Sequence, residues 1–243
     1  MRVSPRAYSG FLVPSRPARD GAGKGLGRAS NSGGPSIGGR MSCPELQVII
    51  PVRAGGNPYI TLESLGRSEY QDFDVIVVHD HQQNANAARN LGFAQADPGS
   101  EFLLFSDDDI EWYPDAIGRM VNVLRHNPAA GYAYGTYTMG GREYCNVQWS
   151  AARLRQSNFV STMSVIRRSA FPGEWDEEVP RLQDWSMWLS MLENRWCGVH
   201  CGAVIFETAV RDGITRNGRV SYEEAERIVR QRHRLGRFAE VAG

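Results

Sequence analysis

Lysine is almost absent from this chain. Lys24 is the only one among 27 basic residues, so the other 26 are arginine. Any catalytic scheme that needs a lysine in a folded domain beyond residue 24 is therefore excluded. No apolar run approaches the roughly 18 residues of a membrane span. Cysteine is also scarce: Cys43, Cys145, Cys197 and Cys201. The last two flank Gly198-Val199-His200, which suggests a metal pair. If Trp196 to Glu207 is a strand, they lie about 13 Å apart along one face. That spacing is beyond disulfide reach, and no second pair completes a zinc site. Free thiols in a reducing compartment are expected. Net charge is missing too, at a formal +0, but the balance is uneven. Residues 1–40 carry seven Lys/Arg and one acid, Asp20, which leaves 20 bases against 26 acids in the rest. The mildly acidic remainder argues against nucleic acid as a partner.

What is present is ordinary for one sizeable globular domain: 42% hydrophobic and 22% charged residues. The first 44 residues are set apart as a Gly/Ser/Arg-rich tail, with the domain spanning 45–243. The tail has too little apolar surface to offset ordering entropy and is expected to be disordered. Its Arg-rich, acid-poor character suits a transit peptide, but amphipathic periodicity is missing. The simplest reading makes Met41 the true start. Gly21-Ala22-Gly23-Lys24-Gly25 is not a phosphate loop, because the leading Gly and the Ser/Thr after Lys are lacking.

From residue 47 strands and helices alternate. Gln47–Pro51, Phe73–Val78 and Phe102–Phe105 read as short buried strands. Tyr59–Arg67 and Asn84–Ala96 read as helices. Pro114 and Asp115 open another, with the stripe Ile117, Met120, Val121, Leu124. Gly131–Val147 reads as strand and loop, and Asn158–Arg168 as strand-like. A helix starts near Asp184 with Trp185, Trp188, Leu189 and Leu192 as its core face. A charged helix spans Tyr222–Arg234. The alternation predicts an α/β fold: a Rossmann-like domain with a mostly parallel central sheet flanked by helices.

Open parallel sheets bind ligands at the carboxyl ends of their strands. After the first strand come Pro51, Val52 and Arg53. After the second come His79, Asp80 and His81. After the third come Asp107, Asp108 and Asp109. Three adjacent carboxylates repel one another unless a cation lies between them. Such clusters hold Mg²⁺ or Mn²⁺ against phosphates, although a solvated acidic turn has the same composition.

The ordered pieces resemble the inverting GT-A glycosyltransferases of family 2, over roughly residues 47–215. Val48-Ile49-Ile50-Pro51 is similar to the opening strand. Val75-Ile76-Val77-Val78-His79-Asp80 is similar to the second. Ala87-Ala88-Arg89-Asn90-Leu91-Gly92 resembles the Ala-Arg-Asn-x-Gly helix. Asp107-Asp108-Asp109, followed by Pro114, resembles the metal-binding Asp-x-Asp. Trp175-Asp176-Glu177 is similar to the Gly-Phe-Asp-Glu segment, with Trp where Phe is usual. Leu182-Gln183-Asp184-Trp185 resembles the Glu/Gln-Asp-Trp motif.

The resemblance implies a metal-dependent hexosyltransferase-type enzyme. It would move a sugar from a nucleotide-diphosphate donor, a UDP-sugar first, to an acceptor hydroxyl with inversion. Mn²⁺ or Mg²⁺ would sit on Asp107 and Asp109. Pro51, Val52, Arg53, Asp80, Arg89, Asp107 and Asp108 would bind the donor. Asp80 would meet the base, or else cap a turn. Arg89 would approach the diphosphate, or else form a surface ion pair. Asp108 would share the metal or bond the ribose. Asp184 would be the general base, with a helix N-cap as the competing role. Gly213-Ile214-Thr215 resembles the loop that closes over the donor, flanked by Arg211 and Arg216. His200 and His233 are left outside the metal set. The expected setting is a bacterial cytoplasm, with peripheral contact at the inner membrane face and a glycan, lipid-linked or small-molecule acceptor.

His79-Asp80-His81-Gln82-Gln83 departs from the family's Asp-Asp-Gly-Ser turn, which leaves base specificity open. Rival readings fit less well. A sugar-phosphate nucleotidyltransferase on a similar fold needs a Gly-rich loop with Arg and Lys. An Asp-nucleophile phosphohydrolase needs Thr or Val where Glu111 stands, and a later Lys. A calcium loop needs Gly where Trp112 stands and Glu where Gly118 stands. A catalytically silent nucleotide-sugar-binding scaffold is the remaining alternative.

Overall fold

The computed structural model describes residues 43–80, 84–209 and 220–236. The tail through Ser42 with Met41, the His81–Gln83 link, and Arg211, Gly213–Thr215 and Arg216 lie outside the described residues.

Two long apolar strands begin the sheet. Leu46–Arg53 forms β1 and Phe73–Asp80 forms β2. They are followed by β3 (Phe102–Phe105), β4 (Ile110–Trp112), β5 (Ala130–Met139), β6 (Arg142–Tyr144), β7 (Val165–Arg167) and β8 (Cys197–Thr208). The helices are α1 (Tyr59–Gly66), α2 (Ala85–Gln95), α3 (Ala116–His126), α4 (Ala151–Gln156), α5 (Gln183–Glu193) and α6 (Tyr222–Arg232). The strand order is β2-β1-β3-β7-β5-β8-β4, with β6 paired to β5. Strands β1, β2, β3, β5 and β8 run one way, while β7, β4 and β6 run against them. The expected mostly parallel α/β sheet is what forms.

The period-2 side-chain alternation divides the core into two layers. Val48, Ile50 and Val52 of β1 and Phe102 and Leu104 of β3 face one layer, which α1 and α3 cover through Leu65, Ile117, Met120, Val121 and Leu124. Ile49, Leu103 and Phe105 face the other, covered by Trp185, Trp188 and Leu189 of α5, Leu154 of α4 and Val229 of α6. Burial on both faces explains why β1 and β3 read as unbroken apolar runs.

Three elements depart from the expectation. The strand-like Asn158–Arg168 narrows to β7, which pairs antiparallel with both β3 and β5. Ile110–Trp112 forms the extra strand β4, on the far edge against β8. The short helix α4 is new, capped by Ser150 accepting from the Arg153 amide. Among the described residues the four cysteines are unpaired; Cys43 is exposed and the others are partly buried. No described helix is long and apolar enough to cross a membrane.

Helix α6 is fastened at its end by a buried relay. His233 Nε2 meets Ser186 Oγ at 2.9 Å, and Nδ1 meets Glu193 Oε1 at 2.9 Å. Arg232 adds ion pairs to Asp176 and Glu178. His233→Ala removes both ring contacts and leaves the Ser186 hydroxyl bare. It is expected to cost about 2 kcal/mol, read from the urea midpoint at unchanged slope. An unchanged midpoint would remove the relay from the stability account.

Candidate active site

The acidic turn is fixed by its backbone. Strand β3 ends when Ser106 N donates to Ile49 O at 2.9 Å. Buried Thr61 of α1 then grips the turn from both sides: its hydroxyl donates to Asp107 O at 3.1 Å and accepts from Ile110 N at 2.9 Å. Trp112 Nε1 donates to Ser106 Oγ at 3.0 Å. With the main chain satisfied this way, the three carboxylates are held partly buried side by side. Burial raises the Asp108 pKa, the charges of Asp109 and Asp107 raise it further, and Arg53 opposes them. Asp108 also presses on the turn after β1. A Cβ at Gly56 would lie 2.5 Å from its Oδ2 and 3.0 Å from Arg53 O, so a side chain there would displace the carboxylate.

Helix α2 brings the arginine. Asn84 caps it by accepting from the Asn86 and Ala87 amides. Gly92 lets the helix lie against β1, since a Cβ there would come within 2.4 Å of Ile49 Cγ2. This close seat buries Arg89 to 3% exposure, which rules out the surface ion pair. Its Nη2 donates to Asp107 Oδ1 at 3.0 Å and its Nη1 to Asn86 Oδ1 at 3.0 Å. The guanidinium lies over the Trp175 ring at 4.8 Å. Neighbouring amides hold the Trp175 loop: Asn90 Nδ2 donates to Trp175 O at 2.9 Å, Trp175 N to Asn90 Oδ1 at 2.7 Å, and Asn86 Nδ2 to Asp176 O at 2.7 Å.

Asp184 lies in the first turn of α5, where the helix dipole favours negative charge. The cap position itself belongs to Leu182, in a left-handed conformation at φ 59°. The N-cap alternative for Asp184 is thereby replaced. Its Oδ2 accepts from Asn158 Nδ2 at 2.8 Å and its Oδ1 from Trp185 N at 2.8 Å. Burial raises its pKa; those two bonds and the Arg89 charge oppose, while Asp107 adds to the rise. Asn158 is a site residue the sequence reading passed over. Cys145 stands nearby at φ 59°, its thiol pushed up to about 12 mainly by burial and also by the Asp184 charge.

The strand ends contribute less than their residue types suggested. Pro51 and Val52 are buried, and Val52 packs in the core, so its side chain is not free to meet a ligand. Arg53 is exposed and paired in register with Asp80, the last residue of β2. His200 is engaged within its own region, accepting from Gly202 N at 3.0 Å and meeting Thr136 Oγ1 at 3.3 Å. A cavity of about 550 Å³ between α5 and α6 has none of these carboxylates in its wall.

Among the described residues no three His, Cys, Asp or Glu side chains converge as a complete metal site. The donor set still suits a hard cation. Mg²⁺ commonly takes one or two protein carboxylates and completes its shell with water and substrate phosphates. Burial first and then the neighbouring Asp109 and Asp107 charges raise Asp108, and such an ion would relieve the second of these.

Residues 55–172 match the model of glycosyl transferase family 2. That match covers just under half of the chain and marks this stretch as a family 2 glycosyl transferase segment. The matched segment holds the acidic turn and Arg89, whereas Trp175, Asp184 and α6 lie beyond it. An uncharacterized glycosyltransferase of Rickettsia felis is 22% identical over 196 residues, covering 62% of this chain and 32% of that protein. The chain thus spans about a third of that relative's length. Among solved structures, S. aureus TarS 1–349 in complex with UDP-GlcNAc superposes with a TM-score of 0.58 at 16% identity, over 76% of this chain and 65% of that one. The UDP complex of TarS gives 0.55 at 15% identity, over 77% and 70%. At such identities the likeness establishes the shared GT-A fold.

Proposed function

We propose that the protein transfers a glycosyl group from a nucleotide-diphosphate sugar to an acceptor hydroxyl by a single inverting displacement. The observation that carries this reading is the position of Arg89. It is bonded to Asp107 at 3.0 Å and lies within electrostatic reach of Asp184. One buried cation therefore links the proposed phosphate-binding turn to the proposed base.

In this scheme Asp184 takes the acceptor proton as the acceptor oxygen attacks the anomeric carbon. The bond from that carbon to the diphosphate breaks, and the diphosphate leaves with the electron pair. Arg89 meets the charge that develops there. Mn²⁺ or Mg²⁺ on Asp107 and Asp109 would supply Lewis-acid neutralisation of the same charge. Asp108 and Arg53 are assigned to the donor side, with Asp80 proposed for the base from its place at the end of β2, and Pro51 and Val52 contributing through main chain. The raised pKa of Asp184 suits a base, since a half-buried, poorly solvated carboxylate accepts a proton more readily. A uridine donor is favoured by analogy with TarS, whose structures contain UDP-GlcNAc and UDP. The cytoplasm is the proposed setting.

Calorimetric titration of the full chain with UDP, GDP and dTDP, with and without Mn²⁺, tests the donor site. Metal-dependent binding of one nucleotide is expected. Asp109→Ala should weaken it about 100-fold by removing one carboxylate from the cation. Absence of binding to all three nucleotides would defeat the reading.

A further inference from the structure

Each buried indole in this protein is a hydrogen-bonding decision, because the N–H points one way and cannot accept. The buried Trp112 donates to Ser106 Oγ at 3.0 Å, Trp185 to Leu154 O at 2.6 Å and Trp188 to Val160 O at 3.1 Å, and the half-buried Trp149 donates to Tyr132 OH at 2.9 Å. Trp175 breaks this pattern. It is 1% exposed, and its Nε1 has no hydrogen-bond partner.

Packing alone does not require the indole. Its ring packs edge-on against Phe105 at 5.2 Å and beneath Arg89 at 4.8 Å, contacts a phenyl ring also makes. Arg89 itself is left with a bare buried Nε, though its Nη atoms are engaged. Two unpartnered N–H donors thus belong to one stacked pair, whose arginine also holds the Asp107 carboxylate. Buried donors without acceptors are rare enough in native proteins to need an explanation. Bare hydroxyls such as Ser161 and Ser68 can rotate, whereas an indole cannot.

We propose that the Trp175 N–H is a recognition group for an oxygen of the bound sugar nucleotide, either on the diphosphate or on the transferred sugar. The inference rests on the transferase reading and adds a specificity-determining residue to it. Arg89 and Trp175 together form a two-donor oxygen site, charged on one member and neutral on the other. The ring holds Arg89 in place, and the N–H reads the ligand.

Trp175→Phe keeps the ring and deletes the donor. Calorimetry on full-length wild type and variant, with UDP and UDP-GlcNAc in Mn²⁺, separates the sources of the oxygen. Weakening of both ligands by about tenfold assigns the N–H to the diphosphate. Weakening of UDP-GlcNAc alone assigns it to the sugar. Thermal stability should stay level or rise, because a bare buried donor has been removed. Wild-type affinity for both ligands in a folded variant would overturn the inference while leaving the transferase reading intact. Wild type that binds none of UDP, GDP and dTDP would overturn both. If the variant does not fold, indole ¹⁵N–H resonances of wild type decide the matter. Movement of the Trp175 indole resonance on nucleotide addition supports the site, and a Trp175 resonance that stays in place refutes it.

Discussion

Asp184→Asn is expected to lower turnover by about 10³-fold while nucleotide affinity stays within about twofold. The carboxylate is held by Asn158 and by the Trp185 amide at 2.8 Å each, so the shorter-lived role of proton acceptor is lost with little change of shape. Single-turnover rates against calorimetric Kd separate the two effects. A variant that loses affinity and rate together would mean that Asp184 binds the donor instead of activating the acceptor. The pH profile gives a second check. Burial raises this acid's pKa, and only its ionised form accepts a proton. Turnover should therefore fall as pH drops through that raised value, earlier than for an ordinary aspartate. The stability sign is opposite. A group whose folded pKa is raised contributes stability that is complete below the unfolded pKa and is lost as pH rises through the folded one. Keeping Asp184 ionised for catalysis costs the fold.

Arg89→Ala should have the largest structural effect. The side chain is 3% exposed and joins Asp107, Asn86 and the Trp175 ring. Its loss leaves a cavity, an unpaired Asn86 amide oxygen and an Asp107 charge that solvent relieves only in part. About 3 kcal/mol of stability should go, together with nucleotide binding. Arg89→Lys keeps the charge but not the planar fork or the stack, and should recover only part of either. Denaturant unfolding measures the first quantity and calorimetry the second. Wild-type stability in Arg89→Ala would show that the network around α2 is ornamental.

The elements legible in the sequence were those whose side chains are decided by one-dimensional pattern. β3 matches its expected span, and the stripe Ile117, Met120, Val121, Leu124 of α3 is fully buried. β4 and α4 were missed because a three-residue strand and a six-residue helix are too short to express a period. β7 was overdrawn because Phe159, Val160 and Met163 give the preceding segment a strand-like look for a different reason: they pack into the core outside the sheet, and Val160 O accepts from Trp188 of α5.

The residue types at the strand ends, and hence the acidic turn after β3, follow from the sequence alone. Strand polarity and the carboxyl-end rule are local properties. Only the tertiary structure decided that Arg89 is a buried link to Asp107, that Asn158 holds Asp184, and that Trp175 keeps an unspent N–H. Asn158 lies 26 positions from Asp184, and Trp175 sits across the α2 interface from Arg89. Hydrogen bonding and burial depend on which surfaces meet in three dimensions, and no pattern along the chain encodes that meeting.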